Sequence, residues 1–198
     1  MRDTNYFSLD LEYNSDGKSG VEDIIQVGFA IGNWKESIKI TREFLVKPAD
    51  KEVVLHPFIT DLTGITQERY DSEAIPWGTV VDEIRIAHET YKPFCNPVTW
   101  GLGDAQDLIT TVRFEGLEFP FFGRRVIDVK HFFLFIEAAN GRALSGGLRS
   151  AMGRHKLPFQ GTPHRAGADA KNTLRLFFHL VSRQNVLENT IKNLRELS

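Results

Sequence analysis

The segment Tyr6-Phe7-Ser8-Leu9-Asp10-Leu11-Glu12-Tyr13 alternates without a break. On an extended chain Phe7, Leu9, Leu11 and Tyr13 share one face, and Ser8, Asp10 and Glu12 share the other. After a polar loop from Asn14 to Gly20, the run Ile24-Ile25-Gln26-Val27-Gly28-Phe29-Ala30-Ile31 is almost continuously apolar. That is the pattern of a strand buried on both faces. Gly32-Asn33 marks a turn, and Ser37 to Val46 alternates again, with Ile38, Ile40, Phe44 and Val46 on one side. Lys47-Pro48 closes it. Three strands in succession with short connections predict an antiparallel meander.

Outward from the meander, helical and extended patterns take turns. Leu55 to Thr66 reads as a short helical turn and loop, and Thr79 to Tyr91 as a helix with Val80, Val81, Ile84 and Ala87 on one face. Pro97 to Trp100 is a short strand, Ala105 to Phe114 a helix, and Arg125 to Asp128 another short strand. Helices are predicted over Val129 to Ala139, Leu148 to His155, Arg165 to Arg183 and, separately, Val186 to Leu197. A meander followed by strand–helix units fits one α/β sheet of mixed strand direction. The length of 198 residues, with no repeat or linker, predicts a single domain over residues 1–198.

Composition removes several classes. With 41% hydrophobic and 25% charged residues, the chain is neither a disordered tail nor a coiled coil. One cysteine, Cys95, rules out an internal disulfide framework and a multi-cysteine zinc site; a reducing, cytoplasmic setting is the expectation. The densest apolar run, Phe132 to Ile136, is far shorter than the roughly 20 residues of a spanning helix, so no membrane is expected as a partner. The early Asp3 and the lack of a long apolar run before Asp10 argue against a secretory signal. Charge is unevenly spread: residues 1–90 hold 9 Lys/Arg against 17 Asp/Glu, whereas residues 121–171 hold 9 against 3. The basic stretch can steer a polyanion or be a solvated face.

Four carboxylates and one histidine stand out. Asp10 and Glu12 project from one strand face, where like charges repel unless a cation lies between them; an edge strand facing solvent is the other reading. On a helical wheel, Lys171, Asn172, Arg175, His179, Ser182 and Arg183 form the polar side of the helix from Arg165 to Arg183. Asp169 falls on the opposite, apolar side, between Leu176 and Leu180 in angle. A carboxylate there is costly unless paired or metal-bound, although the helix dipole favours an Asp in the first turn. Asp104 follows a short strand across Gly101-Leu102-Gly103; it is either a helix cap paired with Asp107 or a ligand at the carboxyl edge of the sheet. His164, five residues before Asp169, is either a surface imidazole or a general base.

Taken in order, Ser8-Leu9-Asp10-Leu11-Glu12-Tyr13 with Ile24-Ile25-Gln26-Val27-Gly28, then Thr99-Trp100-Gly101-Leu102-Gly103-Asp104, then His164-Arg165-Ala166-Gly167-Ala168-Asp169-Ala170, resemble the motifs of the DEDDh 3′-to-5′ exonucleases. Leu62-Thr63-Gly64-Ile65-Thr66 is similar to that family's loop between the first two motifs. Within the family, these features are most similar to the enhanced-RNAi and histone-mRNA branch. The sequence departs at Tyr13-Asn14-Ser15, where Thr-Thr-Gly is common, at Gln26 for a common Glu, and at Ala168, where a second Asp often precedes the catalytic one.

The resemblance implies a ribonuclease H-like α/β fold: a mixed sheet of three antiparallel strands and then two parallel ones, flanked by helices. It implies hydrolysis of single-stranded DNA or RNA from a free 3′-OH, releasing nucleoside 5′-monophosphates. Two Mg²⁺ or Mn²⁺ ions are implied as cofactors, which suits oxygen ligands and the absence of thiolates. By the family pattern Asp10 bridges both ions, Glu12 and Asp169 hold the one that activates water, Asp104 positions the other, and His164 takes the proton. Leu11, Leu62, Thr63 and Ile65 would border the terminal nucleotide, and Arg165 would meet phosphate. Related enzymes include monomers and homodimers. The alternative keeps this fold as a catalytically silent nucleic-acid-binding protein; it is disfavoured because all five site residues are present.

Overall fold

The computed structural model describes residues 3–15, 23–49 and 51–196. Its sheet has six strands in the order β4-β3-β2-β1-β5-β6. β1 (Tyr6–Asn14), β2 (Asp23–Asn33) and β3 (Ser37–Lys47) form the expected antiparallel meander. β5 (Val98–Thr99) pairs parallel to β1, and β6 (Ile127–Asp128) parallel to β5. The three-antiparallel, two-parallel arrangement is therefore present. A further short strand, β4 (Ile75–Pro76), pairs parallel to β3 at the far edge. Its two residues are too few to show a period. Most of the expected polar loop, at residues 16–20, lies outside the described residues, and Asn14 itself belongs to β1.

β2 is buried along nearly its whole length, as its apolar run requires. Phe7, Leu9 and Leu11 of β1 and Val27, Phe29 and Ile31 of β2 pack against α3 (Trp77–Tyr91) and α4 (Gly103–Phe114). On the other face, Ala30 and Val98 meet α5 (Val129–Ala139), α6 (Leu148–Arg154) and α7 (Ala166–Glu196). A third cluster around Ile25, Leu45, Ile59 and Ile65 seats α1 (Pro57–Thr63) and α2 (Gln67–Glu73). The turn and loop expected over Leu55 to Thr66 thus holds a helix that ends at Gly64, whose left-handed φ of 71° suits glycine. A register shift in the β1–β2 ladder between Glu12 and Tyr13 leaves Ile25 without a partner there. This bulge turns Ile24 toward the first cluster and Ile25 toward the third. Among the described residues, no helix is long and apolar enough to cross a membrane.

Two expectations about the C-terminal region are corrected. The separate helices are one 31-residue helix, α7. Gln184 and Asn185 provide neither a glycine nor a proline to stop it, and the polar step that suggested a break marks the point where the helix leaves the core. Asn172, placed on the solvent side by the wheel, is fully buried. The preceding chain folds across it: Asn172 accepts from the Gln160 N–H at 3.1 Å and donates to the Gln160 carbonyl at 2.9 Å.

The start of α7 lies almost in van der Waals contact with β2. A Cβ on Gly28 would sit 2.0 Å from the Ala166 carbonyl carbon and 2.1 Å from the Gly167 nitrogen. Both are backbone atoms, so relief requires moving the helix. We expect Gly28→Ala to lower unfolding free energy by roughly 3 kcal/mol, the upper range for overpacking. Gly153→Ala in α6, where a Cβ meets nothing within 4 Å, should raise it by roughly 0.5–1 kcal/mol. Urea unfolding of the two variants checks both signs.

Candidate metal and catalytic site

The face of β1 that carries Ser8, Asp10 and Glu12 is covered by α7. β1 is a central strand between β2 and β5, so the edge-strand reading of Asp10 and Glu12 is excluded. Ser8 Oγ donates to the Val98 carbonyl at 2.9 Å and ties β1 to β5. The chain beyond β5 turns directly into α4. There Leu102, not Asp104, is the N-cap residue, and Asp104 lies one residue into the helix. Asp107, its expected capping partner, instead accepts from the Tyr13 hydroxyl at 2.8 Å. Asp169 sits in the first turn of α7, and its Oδ2 accepts from the backbone N–H of His164 at 3.1 Å. His164 adopts φ 59°, a left-handed conformation that a non-glycine residue enters at a cost. Its imidazole is left exposed beside the carboxylates.

The acidic groups sense one another. Asp10 is pushed well above the usual carboxylate range by burial, and further by the charges of Asp104, Asp169 and Glu12. Glu12 rises to about 8, first from burial and then from Asp169, Asp104 and Glu43, with Arg165 opposing. Asp104 rises to about 7 through burial and then Asp107. Asp169 rises to about 6 through burial, opposed by the hydrogen bond from His164. Four carboxylates therefore share a space in which their joint ionisation near neutral pH is opposed unless a cation lies among them.

One oxygen each from Glu12 and Asp169 and one imidazole nitrogen of His164 lie within 4.8 Å of one another. Asp10 and Asp104 border this trio and couple to it by charge. The four carboxylates offer an all-oxygen set, which suits Mg²⁺ or Mn²⁺, with the His164 imidazole beside it and no thiolate. The residues present fit such an ion: burial and mutual repulsion oppose their ionisation, and its positive charge would favour it.

The expected substrate-binding residues separate. Leu62 is 38% exposed on α1 and available to a ligand. Ile65 is wholly buried in the third cluster, and Thr63 is 3% exposed. The Thr63 hydroxyl donates to the Ile59 carbonyl at 2.8 Å and accepts from the Ile65 N–H at 3.1 Å. These two side chains brace the loop and do not wall a base. The Leu11 side chain is buried in the first cluster, so only its backbone can face the site. Arg165 is paired with Glu43 and is not free for phosphate in this conformation.

One site residue escaped the sequence reading, and a second entered it only as a departure from the family motif. Glu43 accepts from Arg165 and from the Gly167 N–H at 3.0 Å, and so caps α7. Gln26, opposite Glu12 in the ladder, accepts the Ala166 N–H at 2.9 Å with its Oε1. Alternation in β3 places Glu43 opposite the Ile38–Phe44 face, a signal that is visible only once that face is known to be covered.

No family model matches the sequence, and no curated protein sequence matches it. The fold does match. The nuclease domain of 3′hExo, a DEDDh family member bound to rAMP, superposes with a TM-score of 0.76 at 19% identity, covering 90% of this chain and 92% of that one. S. pombe Pop2p, in a Mg²⁺- and Mn²⁺-bound form, gives 0.65 at 17% identity, covering 90% and 83%. E. coli Exonuclease I in complex with a dT13 oligonucleotide gives 0.71 at 13% identity, covering 94% of this chain and 43% of that one. The fold is thus the ribonuclease H-like fold of the DEDDh exonuclease domains.

The raised carboxylates set a pH signature for the metal-free protein. Each binds a proton more tightly when folded than when unfolded, so the stability these four groups contribute is fully present below pH about 4 and is lost as pH rises toward about 8, where Glu12 ionises. Above pH about 6.5, where the buried histidines such as His88 are neutral in both states, urea unfolding in chelator should show this decline up to pH 9, and Mg²⁺ should flatten it. Asp10→Asn should stabilise the metal-free protein by about 1–2 kcal/mol at pH 8.

Proposed function

We propose that the chain is a metal-dependent 3′-to-5′ exonuclease of the DEDDh type, acting on single-stranded nucleic acid in a reducing, cytoplasmic setting. The observation that carries this reading is the convergence of Asp10, Glu12, Asp104, His164 and Asp169, drawn from one strand and two helix starts, into one electrically coupled cluster. The fold's likeness to a DEDDh nuclease domain bound to rAMP and to an exonuclease bound to dT13 supports the substrate class. The likeness to Pop2p with Mg²⁺ and Mn²⁺ supports the cofactor.

Asp10, Glu12, Asp104 and Asp169 would hold two Mg²⁺ or Mn²⁺ ions. When bound, such ions supply positive charge to the scissile phosphate and make water acidic enough to attack near neutral pH. The protein's own part is positional. An exposed imidazole at His164, beside Glu12 and Asp169, accepts the proton of the attacking water at a ring nitrogen and returns it to solvent. Attack at phosphorus breaks the bond to the 3′ oxygen of the next nucleotide, which leaves with a proton as a new 3′-OH. The released product is a nucleoside 5′-monophosphate. Leu62 offers an apolar surface that accepts the face of any base, so weak sequence preference follows. The polarity follows from Glu12, whose carboxyl takes the terminal 3′-OH.

A 5′-labelled single strand should give a descending ladder in Mg²⁺ and no product in chelator. His164→Ala should slow turnover about 100- to 10,000-fold while leaving Mn²⁺ binding in place. A circular single strand should stay intact. Internal cuts in the circle would overturn the exonuclease reading, and full turnover by His164→Ala would overturn the assigned base.

A further inference from the structure

On the opposite end of the α7 face, three helices and a loop enclose a small basic cavity. It has a volume of about 240 Å³ and is lined by Ile136, Asn140, Arg142, Arg154, His155 and Arg183. Arg183 follows Asp169 by 14 positions on α7, so the cavity lies about 21 Å along the helix from the carboxylate cluster. It is no part of the catalytic cleft.

Its walls are organised by one buried anion. Glu137 of α5 is fully buried, and Arg142 reaches both its oxygens from Nε at 2.9 and 3.0 Å. Arg154 of α6 donates to the same carboxylate at 2.8 Å and to the Ala143 carbonyl at 3.1 Å. Its guanidinium also stacks 5.6 Å from the Phe133 ring centroid. The Arg142 hydrogen bonds hold Glu137 down at about 2, so it stays charged and keeps two guanidinium groups side by side. Arg183 has no carboxylate partner among the described contacts; its Nη1 lies 3.2 Å from His155 Nδ1. Because arginine only donates, His155 accepts at Nδ1 and is the neutral tautomer with its proton on Nε2. That Nε2 and the Nε2 of His179, whose ring centroid is 5.4 Å away, are buried without hydrogen-bond partners.

Three guanidinium groups against one carboxylate leave a formal excess of two positive charges. Asn140 at the rim is uncharged, and among the described residues no acidic side chain other than Glu137 borders the cavity. We propose that this cavity binds a phosphomonoester dianion, independently of the catalytic site. A phosphomonoester carries about −1.5 to −2 charge near pH 7 and offers three acceptor oxygens, which matches the charge excess and the fork-like donors. The volume lies below the roughly 300 Å³ at which drug-sized pockets begin, so it takes a phosphoryl group and not a whole nucleoside. The group could arrive as inorganic phosphate, on a nucleoside 5′-monophosphate or on the 5′ end of a strand.

The test is a titration of the full chain followed by the imidazole proton resonances of His155 and His179, at constant ionic strength and pH 7.5. Inorganic phosphate should shift both and saturate with a Kd near or below about 1 mM. Arg183→Gln, which leaves the Glu137 pairs intact, should weaken binding at least about tenfold, and Arg183→Lys less. Asn140→Asp, which adds a negative charge at the rim, should weaken it similarly if Arg183→Gln proves unstable. Neither substitution should change hydrolysis of a short oligonucleotide. Nucleoside 5′-monophosphate against nucleoside, and a 5′-phosphorylated strand against its 5′-hydroxyl form, identify which source binds; either phosphorylated partner acting alone supports the site. A shift that rises linearly with phosphate, equal responses to the unphosphorylated controls, or a Kd untouched by either substitution would overturn the proposal.

Discussion

The architecture depends on how closely the start of α7 approaches the centre of the sheet. Gly28 gives the helix backbone room to settle on β2, and a single methyl group there would collide with it. Gln26 and Glu43, on adjacent strands, accept the N–H groups of Ala166 and Gly167, two of the four that a helix start leaves without internal partners. Arg165 closes the arrangement through Glu43. Sheet and helix are thereby joined by polar contacts at the spot where Asp169 must face Asp10 and Glu12.

The same junction explains how an acidic cluster is tolerated. A long helix presents partial positive charge at its N-terminus, which stabilises nearby carboxylates. Here Asp169 and Glu43 both lie within that field. Burial still dominates, and the carboxyl groups of Asp10, Glu12, Asp104 and Asp169 all rise. The cluster therefore costs stability at neutral pH unless positive charge is brought among the carboxylates. The left-handed backbone at His164 belongs to the same economy of strain: its N–H is held by Asp169 while its ring is turned toward the cluster.

Away from this junction α7 serves two further purposes. Its middle supplies Leu174, Phe177 and Leu180 to the second hydrophobic cluster. Farther along, Arg183 helps close a basic cavity whose geometry is set by one buried glutamate. Acidic and basic clusters are therefore carried by one rigid element, about 21 Å apart along its axis. At that separation, beyond roughly two Debye lengths at physiological salt, exposed charges interact little, so a cation site and an anion site can coexist.

The sequence alone determined the meander, because alternation in β1 and β3 and the apolar run of β2 are local patterns with a period of two. It also marked Asp10, Glu12, Asp104, His164 and Asp169, since their order and spacing are one-dimensional facts. It did not determine what surrounds them. Whether β1 is central or at an edge depends on β5, a strand of two residues held in place by contacts remote in sequence. The same holds for Asn172, which a wheel assigns to solvent and the returning chain at Gln160 buries. Ile65 and Thr63 look like base-contacting residues in a linear motif, but the third cluster claims the Ile65 side chain and the Ile59 carbonyl holds the Thr63 hydroxyl. Glu43 carries no motif and Gln26 stands out only as a departure from one; their roles arise from the helix start that the fold sets against them. Side-chain partners separated by more than a hundred residues, such as Glu43 and Arg165, are a property of packing, and only the tertiary structure could decide them.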